Sequence, residues 1–224
     1  MATSPQSVVS GAGSIPELDF RILDAQPQEY AAVPTIVFRL AVESAGGHPI
    51  RSAILDTQIQ IAARGRPYGP EEQGALADLF GTPERWGTTL RTLPWLRTTR
   101  VVPAFEASTE IDVPVTCTYD LDVLASRYFG ALQSGAIPLE FLFSGTVFYT
   151  GGDGILQTSR ISWEKEALFG LPVEAWRRTM DRHFPGTAWM RVSHETYERL
   201  SAERARRGDA DFEGTLAGLL EDRS

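Results

Sequence analysis

The chain has 224 residues, of which 42% are hydrophobic and 22% charged, and it carries a formal net charge of −8 at pH 7. That length supports a core large enough to stand without disulfide or metal staples, and the acidic balance argues against a general nucleic-acid binder. A single cysteine, Cys117, excludes an intrachain disulfide and fits a reducing cytoplasm.

Residues 1–16 lack the basic start and apolar stretch of a secretory signal and read as a disordered leader. The densest apolar run, 136–143, is broken by Pro138 and Glu140 and is too short to span a bilayer. The expectation is therefore a cytoplasmic protein with neither a membrane nor a nucleic acid as partner. Lys165 is the only lysine, and the bias to arginine is given no functional weight.

Leu18, Phe20 and Ile22 alternate with polar residues and predict a first strand with one wet face. Ile36, Phe38, Leu40 and Val42 predict a second strand, and Leu55, Thr57, Ile59 and Ile61 a third. The short glycine loop between these two, Gly46-Gly47-His48-Pro49, predicts that they form a hairpin. Residues 70–80 predict a helix, with proline in its first turn, Glu71 and Glu72 at the positive end of its dipole, and Gly81 as its stop. A short helix over 82–85 is expected to turn Trp86 inward. Strands follow over 98–102 and 109–115; Pro114 puts the second at an edge or a bulge.

Thr118 opens a predicted helix on which Leu121, Leu124, Ala125, Tyr128, Phe129 and Leu132 keep helical spacing, closed by Gly135. It either crosses between parallel strands or caps one end of a sandwich. The run 137–149 is the strand around which the rest is organised. Leu139, Phe141, Phe143 and Val147 lie on one face and Leu142 and Phe148 on the other, which predicts burial of both faces. Ser144-Gly145 marks a bulge or a close backbone approach. Gly151-Gly152-Asp153-Gly154 turns into a last strand over 155–163.

From Leu171 the chain reads as helical. Val173, Trp176, Met180 and Phe184 share a face, Ser193 caps a second helix, and Phe212, Leu216 and Leu219 form an apolar stripe on a third. The fold class is thus β-rich α+β: an antiparallel β-sandwich-like core with one inserted helix after Thr118 and a helical C-terminal segment. The expected division is a leader at 1–16, a sandwich over 17–170, and a helical extension over 171–224 whose last part, 209–224, is a mobile arm.

Little in the chain carries chemistry outright. Cys117 precedes a predicted helix N-terminus, where a thiol can be activated, but free cysteine is more often buried structure. Asp120 and Asp122 are two apart, so they face different sides of a helix and serve its start better than a shared proton or metal. His48, His183 and His194 have no metal-ligand spacing. The glycine run at 151–154 lacks the phosphate-loop pattern and leads into a strand, and no nucleophile elbow is present. Arginines over 174–207 are interleaved with glutamates and read as a solvated surface. No cofactor or metal site is expected from these residues.

The blocks FRILDAQP, PTIVFRLAV, DLFGTPERWGTTLR, VPVTCTYDLDVLASRYFGAL, IPLEFLFSGTVFY and LPVEAWRRTMDRHFP, between Leu18 and Arg207, resemble a family of actinobacterial proteins of unknown function. The resemblance implies an accessory or maturation role beside nickel–iron hydrogenases, and it brings no catalytic residues with it. Two functions follow. One is a non-catalytic accessory protein with a protein partner, Phe212, Leu216 and Leu219 being its partner-facing residues. The other is an enzyme whose site forms only in three dimensions around Cys117, Tyr119, Asp120 and His183.

Overall fold

The computed structural model describes residues 15–45, 48–117, 123–187, 190 and 192–222. The leader expected over 1–16 lies outside them except for its last two residues, and so do Tyr119, Asp120, Leu121 and Asp122. The chain divides into two units, 1–186 and 187–224.

The first unit is built from eight strands among the described residues, all paired antiparallel. β1 (Glu17–Pro27), β2 (Thr35–Ala45) and β5 (Ser108–Thr116) form one sheet in the order β1-β2-β5. The second sheet runs β4-β3-β6-β7, from β3 (Ile50–Ile61), β4 (Leu93–Val102), β6 (Ala136–Thr150) and β7 (Leu156–Ile161), with β8 (Glu166–Pro172) also paired to β6. The inward rows are those the alternation predicts: Ile36, Phe38, Leu40 and Val42 from β2 and Leu55, Ile59 and Ile61 from β3 are fully buried.

Rings from the two sheets interlock between them. Phe38 of β2 meets Phe141 of β6 edge-on at 5.1 Å, and Phe20 of β1 stacks on Phe143 at 4.4 Å. Such pairs add about 0.5–1.5 kcal/mol each beyond the area they bury. The architecture is the antiparallel sandwich expected, with Pro114 on an edge strand as its missing N–H requires.

Three expectations are corrected. β2 and β3 are not a hairpin: they lie in different sheets. The corner is fixed instead by Ile50, whose N–H donates to the Phe105 carbonyl at 2.8 Å and whose carbonyl accepts from the Phe105 N–H at 3.0 Å. A strand with one apolar face suits a hairpin and a sheet switch equally, so alternation alone does not separate them.

Secondly, β6 buries one face only. Ile137, Leu139, Phe141, Phe143 and Val147 are buried, whereas Leu142 and Phe148 on the opposite face are half-buried, as the outer side of a two-layer sandwich must be. At Gly145 the ladder with β3 continues unbroken, and the feature is a close approach, not a bulge. Its φ is +138°, and a Cβ there would stand 2.0 Å from the Ile54 carbonyl oxygen.

Thirdly, the strand over 155–163 is not the last: β8 follows it, ahead of the helical segment. β7 and β8 sit end to end on the same edge of β6, joined by a turn in which the Phe143 N–H donates to the Lys165 carbonyl at 2.8 Å. The charged turn and Gly170 disguise the inward row Ala167, Phe169 and Leu171.

Helices close the ends. α1 (Pro70–Ala75) and α2 (Ala77–Phe80) together fill the predicted helix 70–80, and Gly81, at φ +74°, ends it. α3 (Trp86–Thr89) brings Trp86 against Tyr68 and Phe80. α4 (Val123–Ala131) links the edge of one sheet to the centre of the other. It buries Ala125, Tyr128 and Phe129 and leaves Leu124 outward. α5 (Val173–His183) buries Val173, Trp176 and Met180.

The second unit is a pair of helices, α6 (His194–Arg207) and α7 (Phe212–Glu221). Ser193 and Asp211 cap them by accepting from the Thr196 and Gly214 N–H groups, and Gly208 ends α6 in the left-handed conformation. Phe212 packs on Tyr197 at 5.5 Å beneath the Arg204 guanidinium, 4.6 Å from its ring centre, while Arg207 bridges Glu203 and Asp222. Leu216 and Leu219 are half-buried. Among the described residues no helix is long and apolar enough to cross a membrane.

Candidate functional site

The two open edges of the sandwich differ. Along β1 and β8 the seam is pinned by Lys165, whose Nζ donates to Glu17 at 2.7 Å and to Asp19 at 2.8 Å. Burial lowers the Lys165 pKa, but the hydrogen bonds and charges of Asp19 and Glu17 outweigh it and the net shift is upward. Along β4 and β5 the edge instead opens into a cleft of about 470 Å3.

The cleft is built by strand parity. Thr98 and Arg100 of β4 stand opposite Thr57 and Leu55 of β3, on the inward face. Arg100 is therefore a charged residue in a core row. Its Nη2 reaches the Pro114 carbonyl of β5 at 3.5 Å, and its Nε is buried without an acceptor among the described residues. The Thr57 hydroxyl, on the same face, is likewise buried and without a partner among the described residues. Arg97 borders the cleft, but its guanidinium lies on the outer face of β4, held by a 3.1 Å bond to Gln58. Thr116 and Ser126 supply hydroxyls; Trp95, Phe129 and Trp176 form the floor, with the Phe129 ring edge-on to both indoles at 5.1 and 5.6 Å.

Cys117 also lines this cleft. Its backbone N–H donates to the Pro34 carbonyl at 2.8 Å and its thiol to Val115 at 3.5 Å. Burial pushes the thiol up to about 12, against a lowering by a backbone hydrogen bond from Ile36. It is thus a thiol, not a thiolate, at neutral pH. His183 is not among the cleft residues: one ring nitrogen lies 3.0 Å from the Thr179 carbonyl and the other 3.0 Å from the Ala31 carbonyl. The structure therefore does not gather Cys117 and His183, and Tyr119 and Asp120 lie outside the described residues. No group of three or more His, Cys, Asp and Glu suited to a metal occurs among the described residues.

A second polar cluster is a strut. Glu72, read from sequence as a helix-start acid, is buried; both its oxygens accept from Arg66 Nη2, and it also accepts from the N–H groups of Gly69 and Gln133. It therefore caps α1 and ties it to the end of α4. Beside it, the hydroxyl of Tyr68 shares a 2.6 Å hydrogen bond with that of Tyr128, and burial raises both phenols. With every oxygen of Glu72 engaged, the arrangement holds elements together and offers no free group for chemistry.

Sequence reasoning missed Arg100 and Arg97. The signal was present: continuing the β4 alternation back from Val102 puts an arginine in a row that should be apolar.

The fold defines an antiparallel two-sheet β-sandwich protein with a separate helical pair at its C-terminal end and with an aromatic-floored cleft that holds Arg100 and Cys117. The chain belongs to a family of unknown function, DUF6084, whose model matches residues 15–224. No curated protein matches it. Among solved structures it is similar to the CARDB domain of a Pyrococcus furiosus protein in complex with di-metal ions, at 11% identity and TM-score 0.28, over 70% of this chain and 92% of that one. It is also similar to a β-glucosidase from Kluyveromyces marxianus, at 10% identity and TM-score 0.26, over 70% of this chain and 15% of that enzyme. A third, β-glucosidase 3B from Thermotoga neapolitana, matches at 12% identity and TM-score 0.26, over 69% and 17%.

Proposed function

We propose that the chain is a non-catalytic accessory protein of the cytoplasm: a rigid sandwich scaffold whose helical C-terminal segment, through Phe212, Leu216 and Leu219, contacts a protein partner. The observation supporting a binding role over the enzyme alternative is the state of Cys117, which lines the cleft as a buried thiol pushed up to about 12, with His183 engaged by two carbonyl groups elsewhere. The family resemblance sets the proposed role beside assembly or maturation of a nickel–iron hydrogenase.

Affinity capture from the native host, using the full chain and a chain lacking 209–224, tests this. The proposal expects hydrogenase subunits or their maturation proteins with the full chain and their loss on truncation, with the melting temperature of the sandwich nearly unchanged. Equal recovery by the truncated chain would remove the helical segment from the contact. Rapid alkylation of Cys117 in the folded protein at neutral pH would instead restore the enzyme built on Cys117, Tyr119, Asp120 and His183.

A further inference from the structure

We propose that the cleft between β4 and β5 is a binding site for a small carboxylic acid with a planar apolar body, and that Arg100 is its anchor. This stands apart from the protein partner proposed above and needs none to be tested.

The argument begins with the cost of Arg100. A guanidinium carries five N–H donors and does not deprotonate in a protein. In an inward row it loses water, and that loss is compensated only by acceptors. The structure gives it one carbonyl at the outer limit of hydrogen-bond length, and its Nε has none among the described residues. Glu72 shows how this same fold treats an arginine meant for structure, because Arg66 there has both oxygens of a carboxylate and three backbone carbonyls, those of Pro67, Ser134 and Ala136. Among the described residues, Arg100 has no carboxylate such as Arg66 has.

The surroundings specify the missing group further. No acidic side chain occurs among the described residues that line the cleft, and the charge of Arg97, on the outer face of the same strand, adds to the positive potential nearby. A fork of N–H donors matches the two oxygens of a carboxylate. Thr98 and Ser126 can hydrogen-bond an oxygen that the fork leaves open. The floor of Trp95, Phe129 and Trp176 suits a flat apolar body, and about 470 Å3 falls within the span of small-ligand sites. The other edge of the sandwich shows the contrast: Lys165 already has Glu17 and Asp19 and leaves no charge to satisfy.

Isothermal titration calorimetry of the full chain against benzoate, benzamide and inorganic phosphate tests the site. Benzoate is expected to bind saturably, and benzamide, its neutral isostere, at least tenfold more weakly. Arg100→Met should weaken benzoate binding tenfold or more, and Arg97→Met only two- to threefold because its charge is solvated. The melting temperature of each variant is read in parallel. If Arg100→Met does not fold, the double variant Thr98→Val, Ser126→Ala serves, with an expected loss of at least threefold. Absence of benzoate binding at 10-fold molar excess over millimolar protein, equal binding of benzamide, or benzoate affinity unchanged in Arg100→Met would each overturn the proposal. Binding of phosphate in preference to benzoate would overturn it in favour of a general oxyanion site.

Discussion

Replacing Gly145 with alanine puts a side chain where the backbone of the neighbouring strand leaves it no room. The new Cβ would lie 2.0 Å from the Ile54 carbonyl oxygen, 3.1 Å from its carbon and 3.3 Å from the Leu55 Cα, all backbone atoms of the neighbouring strand. Restoring an ordinary separation requires β6 to move away from β3 by about 1 Å in the middle of their ladder. Two costs add. The φ of +138° lies in a region that alanine occupies at about 1–3 kcal/mol of strain. Weakening the flanking ladder hydrogen bonds costs about 1 kcal/mol apiece. Gly145→Ala should therefore lose about 3–5 kcal/mol, far above the usual point mutation. Guanidinium unfolding followed by tryptophan fluorescence measures it, with Ser144→Ala, one residue away and exposed, as a control expected to change stability by less than about 0.5 kcal/mol. A Gly145→Ala loss below about 1 kcal/mol would show that the strands are not pressed together there.

Phe141→Ala, which empties the space between Phe38 and Phe143, should cost about 3–5 kcal/mol in the same assay; a loss under about 1 kcal/mol would remove β6 from the centre of the core. Glu72→Gln keeps the shape but leaves the Arg66 guanidinium, 16% exposed, without its countercharge, and should cost about 3 kcal/mol; an unchanged midpoint would mean that the strut carries no weight. The Cys117 thiol, pushed by burial from an ordinary 9.0 up to about 12, ionises in the unfolded chain before it does in the folded one. Its contribution is whole below about pH 9 and is lost as pH climbs towards 12, so Cys117→Ala should flatten the alkaline decline of stability across that window. Superimposable pH profiles for the two proteins would place the thiol in solvent.

Strand identity was legible because a period of two is written in Phe38-Arg39-Leu40 and Leu139-Glu140-Phe141 alike. Pairing was not, since Ile36 and Leu55 need only an apolar layer opposite and their rows do not say which strand lies beside them. β8 escaped notice because Lys165 and Gly170 punctuate a short row whose inward members are Ala167, Phe169 and Leu171. The cleft was hidden for a different reason. Alternation back from Val102 puts Arg100 in the inward row, but only the pairing of β4 with β3 and the approach of β5 show that this row opens into a cleft. Glu72 was seen as a dipole partner because its other partners, Arg66 and the Gln133 N–H, lie on other elements.

The arginine bias of this chain has a practical consequence at Lys165. Apart from the α-amino group, its ammonium is the only primary amine available to acylating reagents. Held between Glu17 and Asp19 with its pKa raised, it is the protonated, unreactive form that dominates while β1 stays seated against β8. Acylation there becomes appreciable only when the seam parts. Acylation read at Lys165 alone, by peptide mapping, would thus act as a clock on one event, the peeling of the first strand, with no engineered label required.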